Sequence, residues 1–384
     1  MSRIANRDQL LASALPIRVG MVGMGNWAQH GHVRVLNLLP EYELSVLYSQ
    51  RAEAAAAAAA KYGFGQVAGS LDELLDHPQV DLVVVATTAP QHEHAIRAAI
   101  GAGKDVYCEW PLTTSTALSE EMVRLADAAG VRTMTGLQRR LAPHNRYLKD
   151  LLAEGYVGRL RSARIHVSMN YFQPHIPQAI RWTAPPENFS SMVAIYVGHF
   201  LDMLFEATGW PTEVSALAVN HFPTVTVIET GEEIQTTNPD EFILSATLPG
   251  GAVVLAHFEG GKRNGSGVQI DITGTAGDIR IANMSAFGGV GEDYVVTGAH
   301  GNKLPLSPLP LPPLYDTLPH AGLPSAVMEL AENYAAFARD VANGTYDAPT
   351  FRDAVRMHKL IDAAMESSET GQRQPLVRAH RRMG

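Results

Sequence analysis

The chain has one cysteine, Cys108, among 384 residues, so no internal disulfide can form. A crosslinked, small-core fold is thereby excluded, and a reducing compartment suits the composition. Charge is also sparse. Asp, Glu, Lys and Arg make up 18% of the residues, and 30 basic against 39 acidic side chains give a net charge of −9 with no basic face. That balance argues against nucleic acid as a direct ligand. No run reaches the roughly 18 uninterrupted apolar residues a membrane span requires. The opening MSRIANRDQLLASALPIRVG lacks the charged-then-apolar order of an export signal. A cytoplasmic protein without membrane contact is the expectation. Internal repeats are missing too, and the basic but short VRAHRRMG end reads as a solvated tail.

What is present is ample core material, with 46% hydrophobic residues, in a chain too long for one typical domain. From Pro16 to about Gly136, short apolar runs (IRVGMVG, YELSVLYS, VDLVVVAT, KDVYCEW, VRTMTG) alternate with helix-forming stretches. These stretches are RAEAAAAAAAKYG, HEHAIRAAIGAG and ALSEEMVRLADAAG. Alternation of this kind predicts βαβ units and a parallel sheet. After about Leu141, RLRSARIHVSMN, TEVSALAVN, DEFILSATLP, GAVVLAHFE, GVQIDITG and GDIRIAN read as strands joined by tight glycine turns. A helix over 190–208, stopped by Gly209, separates the first two. The Pro-rich LPLSPLPLPPLYDTLPHAGLP reads as an extended connector packed on its own protein, and helices are expected at about 325–343 and 350–368. The fold class is therefore α/β, with an N-terminal Rossmann dinucleotide-binding domain (16–138). A C-terminal α+β domain (139–368) would be built on a large, mostly antiparallel open sheet.

Strand IRVGMV runs into Gly23-Met24-Gly25-Asn26-Trp27-Ala28, a G-x-G-x-x-A pattern. Gly23 permits the tight turn, Gly25 lets the backbone approach a pyrophosphate, Ala28 keeps helix and strand close, and the helix start favours phosphate charge. The second strand ends in YSQR. An NAD site usually carries an acidic residue there for the ribose 2′-hydroxyl, whereas Ser49 and Arg51 suit a 2′-phosphate. NADP(H) is preferred on this reading and NAD(H) remains open.

Other patterns carry less. His30-x-His32 and His92-x-His94 have alternate spacing that turns the rings apart on a helix, and no third ligand is evident, so no metal is assigned. FEGGKRNGSG lacks the P-loop order and reads as a hairpin loop bordering the site. Cys108 reads as a small buried side chain. Of Arg139 and Arg140, one is expected to bridge the domains and the other to face the site, without a basis for choosing. Asn170, Tyr171 and Trp182 suit a polyol through amide and aromatic faces, and core packing serves equally for the two aromatics.

GMGNWA, TTAPQHEHAIRAAIGAGKDVYCEWPL and GLQRRLAPHNRYLKDLLAEGYVGRLRSA together resemble the Gfo/Idh/MocA family, which includes glucose–fructose oxidoreductase and inositol dehydrogenase. The resemblance covers nearly the whole chain. AGKDVYCEWPL resembles its A-G-K-x-V-x-x-E-K-P signature: Glu109 and Pro111 match, and Trp110 replaces the lysine. By this resemblance Thr87, His92, Glu109 and Trp110 border the cofactor, and Gly198, His199 and Asp202 match a helix motif that contributes a catalytic histidine. The acidic residue common four positions earlier is Ile195 here.

A lysine beside the nicotinamide stabilises developing charge. The indole of Trp110 donates a hydrogen bond but cannot deliver a proton at neutral pH, so it serves as a flat wall. Tyr196, Ile195 and His199 can share a helix face, and Asp202 could orient the His199 ring. The catalytic candidates are thus His199, Tyr196, Trp110 and Asp202, and the substrate candidates are Trp110, Gln138, Arg139, Asn170, Trp182 and His199.

The implied function is NAD(P)-dependent hydride transfer to or from a secondary alcohol or carbonyl of a sugar-like substrate. A homodimer or homotetramer through the C-terminal sheet is implied as well. A regulatory branch of the same superfamily shares the E-W pair, the LQ-x-R stretch, the G-H-x-x-D helix and F-x-G-G-K. It implies the alternative, a catalytically silent NADP(H)-binding protein acting through protein contact.

Overall fold

The computed structural model describes residues 16–265, 267–286, 288–319 and 322–376. Most of the opening stretch and all of VRAHRRMG lie outside the described residues. The chain divides into two compact units. One runs to Gln138 and takes back Val327–Val355, and the other comprises Arg139–Thr317 and the chain from Arg356 on.

In the first unit, β1 (Ile17–Val22), β2 (Tyr42–Tyr48), β3 (Gln66–Val67), β4 (Leu82–Val85), β5 (Asp105–Cys108) and β6 (Thr133–Thr135) form one sheet. Its order is β3-β2-β1-β4-β5-β6 and every pair is parallel. LVVV in β4 and DVYC in β5 are buried at every position, the pattern of strands covered by helices on both faces. The alanine run forms helix Ala52–Tyr62, which buries Ala55, Ala58 and Ala59 and ends at Gly63 in the left-handed region (φ 87°). Ser70 and Ser115 cap the next helix starts by accepting from Glu73 N and Leu118 N. This strand order reverses between β1 and β4, the point where such sheets take ligands.

Helix Ser325–Asn343 supplies a part of this unit that lies inside the expected 139–368 span. Asn333 Nδ2 donates to Thr135 O (3.0 Å), and Tyr42 Oη donates to Tyr334 O (2.6 Å). Tyr334 is fully buried and stacks on Tyr107 at 5.2 Å. Such a return is set by packing across some two hundred positions and leaves no local signature.

In the second unit, β7 (Leu160–Ser168), β9 (Glu213–Val219), β12 (Glu241–Thr247), β13 (Val253–Glu259), β14 (Gly267–Gly274), β15 (Gly277–Asn283), β16 (Val295–His300), β17 (Ser307–Pro308) and β18 (Gln374–Pro375) form a nine-stranded sheet. Only β7 and β13 pair in parallel, so the sheet is mostly antiparallel. Strict alternation in β14 and β15 buries Val268, Ile270, Ile272, Ile279 and Ile281 on one face. At the end of β14, a Cβ at Gly274 would sit 2.0 Å from Val157 O, so only glycine fits. A smaller sheet joins β8 (His175–Ile176), β10 (Thr224–Val227) and β11 (Glu233–Gln235).

Two segments differ from expectation. The helix over 190–208 is a π-helical turn (Val193–Val197) followed by an α-helix (Gly198–Thr208). In the described part of the Pro-rich stretch, β17 pairs only as an edge strand on β16, and Leu304 and Leu314 stand 59% and 66% exposed. Prolines lack the N–H an inner strand needs, which confines the stretch to the edge and leaves it less packed than its composition suggested.

Burial leaves two imidazoles of the second unit neutral. His358 stacks on Phe189 (4.7 Å, 13°) and its pKa is pushed down to about 3. His144 is likewise pushed to about 3, by burial and then by the Arg139 charge. With folded pKa values depressed below the unfolded value, the unfolded chain takes up protons first as pH falls through 6.5. Folding stability should therefore drop on acidification, by up to about 1.4 kcal/mol per pH unit for each histidine. Denaturant midpoints at pH 7 and pH 5 measure this. His358→Phe, which keeps the ring stack, should make the slope shallower, and equal slopes would contradict the burial argument.

Candidate functional site

The sheet's reversal point carries the glycine turn. Gly23 has φ 96°, and a Cβ there would meet Thr87 Cγ2 at 2.8 Å and Ala86 O at 2.9 Å. Gly25 is different: nothing lies within 4 Å of where its Cβ would be. The space over Gly25 is open, and the Thr87 hydroxyl at the end of β4 is buried without a hydrogen bond. A backbone cradle with an unfilled Cβ position and an orphaned hydroxyl fits a dinucleotide phosphate at a helix start.

From Asn26 the chain turns helical, first through a π-helical turn (Ala28–His32) and then through helix Val33–Leu38. The Trp27 ring lies over Gly31, where a Cβ would approach it to 3.1 Å. Ser49 follows β2 half-buried, and Arg51 is exposed at the start of helix Ala52–Tyr62. No carboxylate stands at that strand end.

The CEWPL stretch follows β5. His92 is 1% exposed, with Nδ1 facing Pro111 O (2.9 Å) and Leu112 O (3.2 Å) and Nε2 facing Thr87 O (3.1 Å). It braces the end of β4 against CEWPL rather than presenting a ring nitrogen to a ligand, and burial lowers its pKa. Glu109 faces inward. Its Oε1 accepts from His32 Nε2 (2.9 Å) and from the Tyr107 hydroxyl, and His32 Nδ1 meets Tyr334 Oη at 2.7 Å. Trp110 is 5% exposed. The Cys108 thiol is pushed up by burial and by the Glu109 charge, which makes it a poor nucleophile. Sequence reasoning does not single out His32, Tyr107 or Tyr334 for the site. His32 is visible only as half of a histidine pair with the wrong spacing for a metal, and Tyr334 has no signal at all.

In the second unit, His199 is half-buried at the start of helix Gly198–Thr208, just after the π-helical turn. Tyr196, inside that turn, meets Tyr171 (5.9 Å) and Phe172 (5.6 Å) edge-on, and burial drives its phenol far above the usual range. It is a correspondingly poor acid. Asp202 was expected to orient His199. Its fully buried carboxylate receives the Arg140 fork, Nε to Oδ2 at 2.8 Å and Nη2 to Oδ1 at 2.5 Å. A bidentate guanidinium is a stronger partner than a neutral imidazole.

The two arginines separate clearly. Arg140 pairs inside its own unit, and Arg139 lies over the Phe200 ring (4.4 Å) and donates to Ala286 O (3.1 Å). Asn170 is exposed and bridges to Gly261 in the FEGGK loop. Trp182 is half-buried in a 3₁₀ turn, where its carbonyl accepts from Asn188. Gln138 is 6% exposed with its Oε1 buried and unbonded. The structure thus gathers His199, Tyr196, Asp202, Arg140 and Tyr171 around one helix start, while Trp182 belongs to the 3₁₀ turn before it. A small, partly open pocket of about 40 Å³ lies elsewhere in this unit, between Phe172, Gln173, Phe222 and Asp240.

A parallel sheet in this order, with a glycine turn at its reversal point and a phosphate cradle above it, defines an NAD-binding oxidoreductase fold. Residues 17–137 match the model of the oxidoreductase family with NAD-binding Rossmann fold, and residues 143–283 match the Gal80p C-terminal domain. Residues 17–137 therefore carry a domain of the Gfo/Idh/MocA oxidoreductase type, and residues 143–283 a Gal80p-like domain. It is 24% identical to the galactose/lactose metabolism regulatory protein GAL80 of Saccharomyces cerevisiae, over 94% of each chain. It is 26% identical to the dehydrogenase aclE of Aspergillus oryzae, over 93% of this chain and 97% of that one. Levoglucosan dehydrogenase in complex with NADH and L-sorbose shares the fold, with a TM-score of 0.82 at 20% identity, over 94% of this chain and 99% of that one. No described helix is long and apolar enough to cross a membrane.

Gly25 and Gly23 predict different failures. Gly25→Val should fold with near-wild-type thermal stability and lose dinucleotide binding, because its side chain fills the cradle and touches nothing else. Gly23→Val should lose stability as well, since φ 96° and Thr87 both oppose it. Calorimetric titration and melting curves separate the two, and a Gly25→Val protein that still bound the dinucleotide would reduce the motif to a turn.

Proposed function

We propose that the protein is an NAD(P)-dependent oxidoreductase acting on a secondary alcohol or carbonyl of a sugar-like substrate. The observation that carries the reading is His199, a half-buried imidazole at the start of a helix anchored one turn on by the buried Arg140–Asp202 pair. A proton-transferring ring needs partial access and a rigid support, and this one has both. The bound nicotinamide supplies or takes the hydride. His199 takes the proton from the substrate hydroxyl in oxidation and returns it in reduction. Tyr196 orients rather than donates, given its raised pKa. Trp110 acts as a wall that excludes water, and Asn170, Gln138, Arg139 and Trp182 are the substrate-facing candidates.

Gly23, Gly25, Asn26, Trp27, Ala28 and Thr87 hold the pyrophosphate end of the cofactor. Ser49 and Arg51 favour a 2′-phosphate, hence NADP(H) over NAD(H). A cytoplasmic location and a homo-oligomer assembled through the open sheet, where Leu217 and Val253 are exposed, complete the proposal. Trp110 in the lysine position, together with the full-length similarity to GAL80, favours a second reading: an NADP(H)-binding regulator without turnover.

Turnover on sugars, polyols and their keto forms decides between the two. His199→Ala should lower kcat roughly 10²- to 10⁴-fold. If that variant matched an active wild type, the role assigned to His199 would be wrong, and absence of turnover in every variant would favour the regulator. Separately, Arg51→Ala should remove most of the NADP(H) preference in binding titrations, about tenfold for one lost charge-assisted contact. Equal wild-type affinity for the two cofactors would overturn that assignment.

A further inference from the structure

The buried polar groups of the first unit form a continuous path that the proposed chemistry does not use. It begins in the phosphate loop, where the Trp27 ring rests over Gly31 and meets the His32 ring edge-on at 6.2 Å. His32 is fully buried and joined through Nε2 to Glu109 Oε1 at 2.9 Å. A carboxylate only accepts, so Nε2 carries the ring proton and Nδ1 is left to face the Tyr334 hydroxyl at 2.7 Å. Tyr107 donates to the same Glu109 oxygen and lies between the His32 and Tyr334 rings, 5.1 and 5.2 Å away.

The far end of the path is Trp110. A Cβ at Gly136 would lie 2.9 Å from Trp110 N and 3.1 Å from Glu109 Oε2, so the carboxylate and the Trp110 backbone rest on the same glycine. On the other side of Trp110, His92 holds Pro111 and Leu112. A change in the helix start behind the phosphate loop can therefore reach Trp110 through Glu109, while His92 holds the far flank.

We infer that His32, Glu109 and Tyr334 form a latch that couples occupancy of the phosphate loop to the orientation of Trp110. His32 and Glu109 are therefore positioning residues for the nicotinamide end of the site. The inference rests on the reading of Trp110 as the nicotinamide wall. It needs a tautomer-specific imidazole and an ionised carboxylate, which explains a buried polar cluster where apolar packing would otherwise suffice. The latch also makes the returning helix Ser325–Asn343 part of the cofactor apparatus, through Tyr334.

The test uses the full chain, and the part of its tryptophan signal that Trp110→Phe removes is assigned to Trp110. Energy transfer from Trp110 to reduced nicotinamide, with NADPH as the probe, reports the ring's placement independently of turnover. Glu109→Gln, His32→Phe and the near-isosteric Tyr334→Phe should each keep the NADPH Kd within about threefold. Each should roughly halve the transfer and, where there is turnover, lower kcat with little change in KM. Unchanged transfer in Glu109→Gln and Tyr334→Phe would overturn the latch. So would loss of NADPH binding in strict proportion to lost thermal stability, since that marks a merely structural cluster. A full chain that shows cofactor-dependent transfer from Trp110 but no turnover sinks the enzyme reading and leaves the latch standing.

Discussion

The Glu109 carboxylate, part-buried at the end of β5, is the constraint around which the cofactor half of the molecule is organised. An ionised carboxylate can be kept there only if its oxygens are met by donors, and His32 and Tyr107 meet one of them. That need recruits His32 from the helix behind the phosphate loop, fixes its ring proton, and in turn recruits Tyr334 from a helix more than two hundred residues on. The parallel sheet, the phosphate turn and the returning helix are thus tied at one point, one residue before Trp110.

The second unit solves a similar problem with a full ion pair. Asp202 is completely buried and receives the Arg140 fork, so the helix bearing His199 is fixed at its second turn while its first turn keeps partial access. The π-helical turn ahead of it sets Tyr196 against Tyr171 and Phe172. Short π-helical segments of this kind recur at functional sites because the extra residue re-aims neighbouring side chains. Here there are two, one before the helix start of each unit's site. Both Glu109 and Asp202 thus have hydrogen-bonded partners inside their own units.

Local chemistry makes much of this legible in the order of the residues. The βαβ rhythm, the phosphate turn at Gly23–Ala28, the strands of the second unit and the inert Cys108 follow from period, propensity and residue type, all of which act over a few positions. The partners are harder to read. Helical spacing matches Asp202 to His199, and the arginine pair offers no choice. In the fold the carboxylate receives the Arg140 fork, a partner that helical spacing does not point to. His92, expected beside the cofactor, is a brace instead, since its ring nitrogens are taken up by the backbone carbonyls of Thr87, Pro111 and Leu112.

The amino-acid sequence alone determined which segments become strands and helices and where the phosphate turn lies. Those are properties of neighbouring residues. The tertiary structure alone decided that Tyr334 closes a network with His32 and Glu109, that Val327–Val355 return to the first unit, and that Arg140 pairs with Asp202. Each of these depends on burial. The cost of an unmet polar group in the interior is set by what surrounds it in space, and sequence separation carries no record of that.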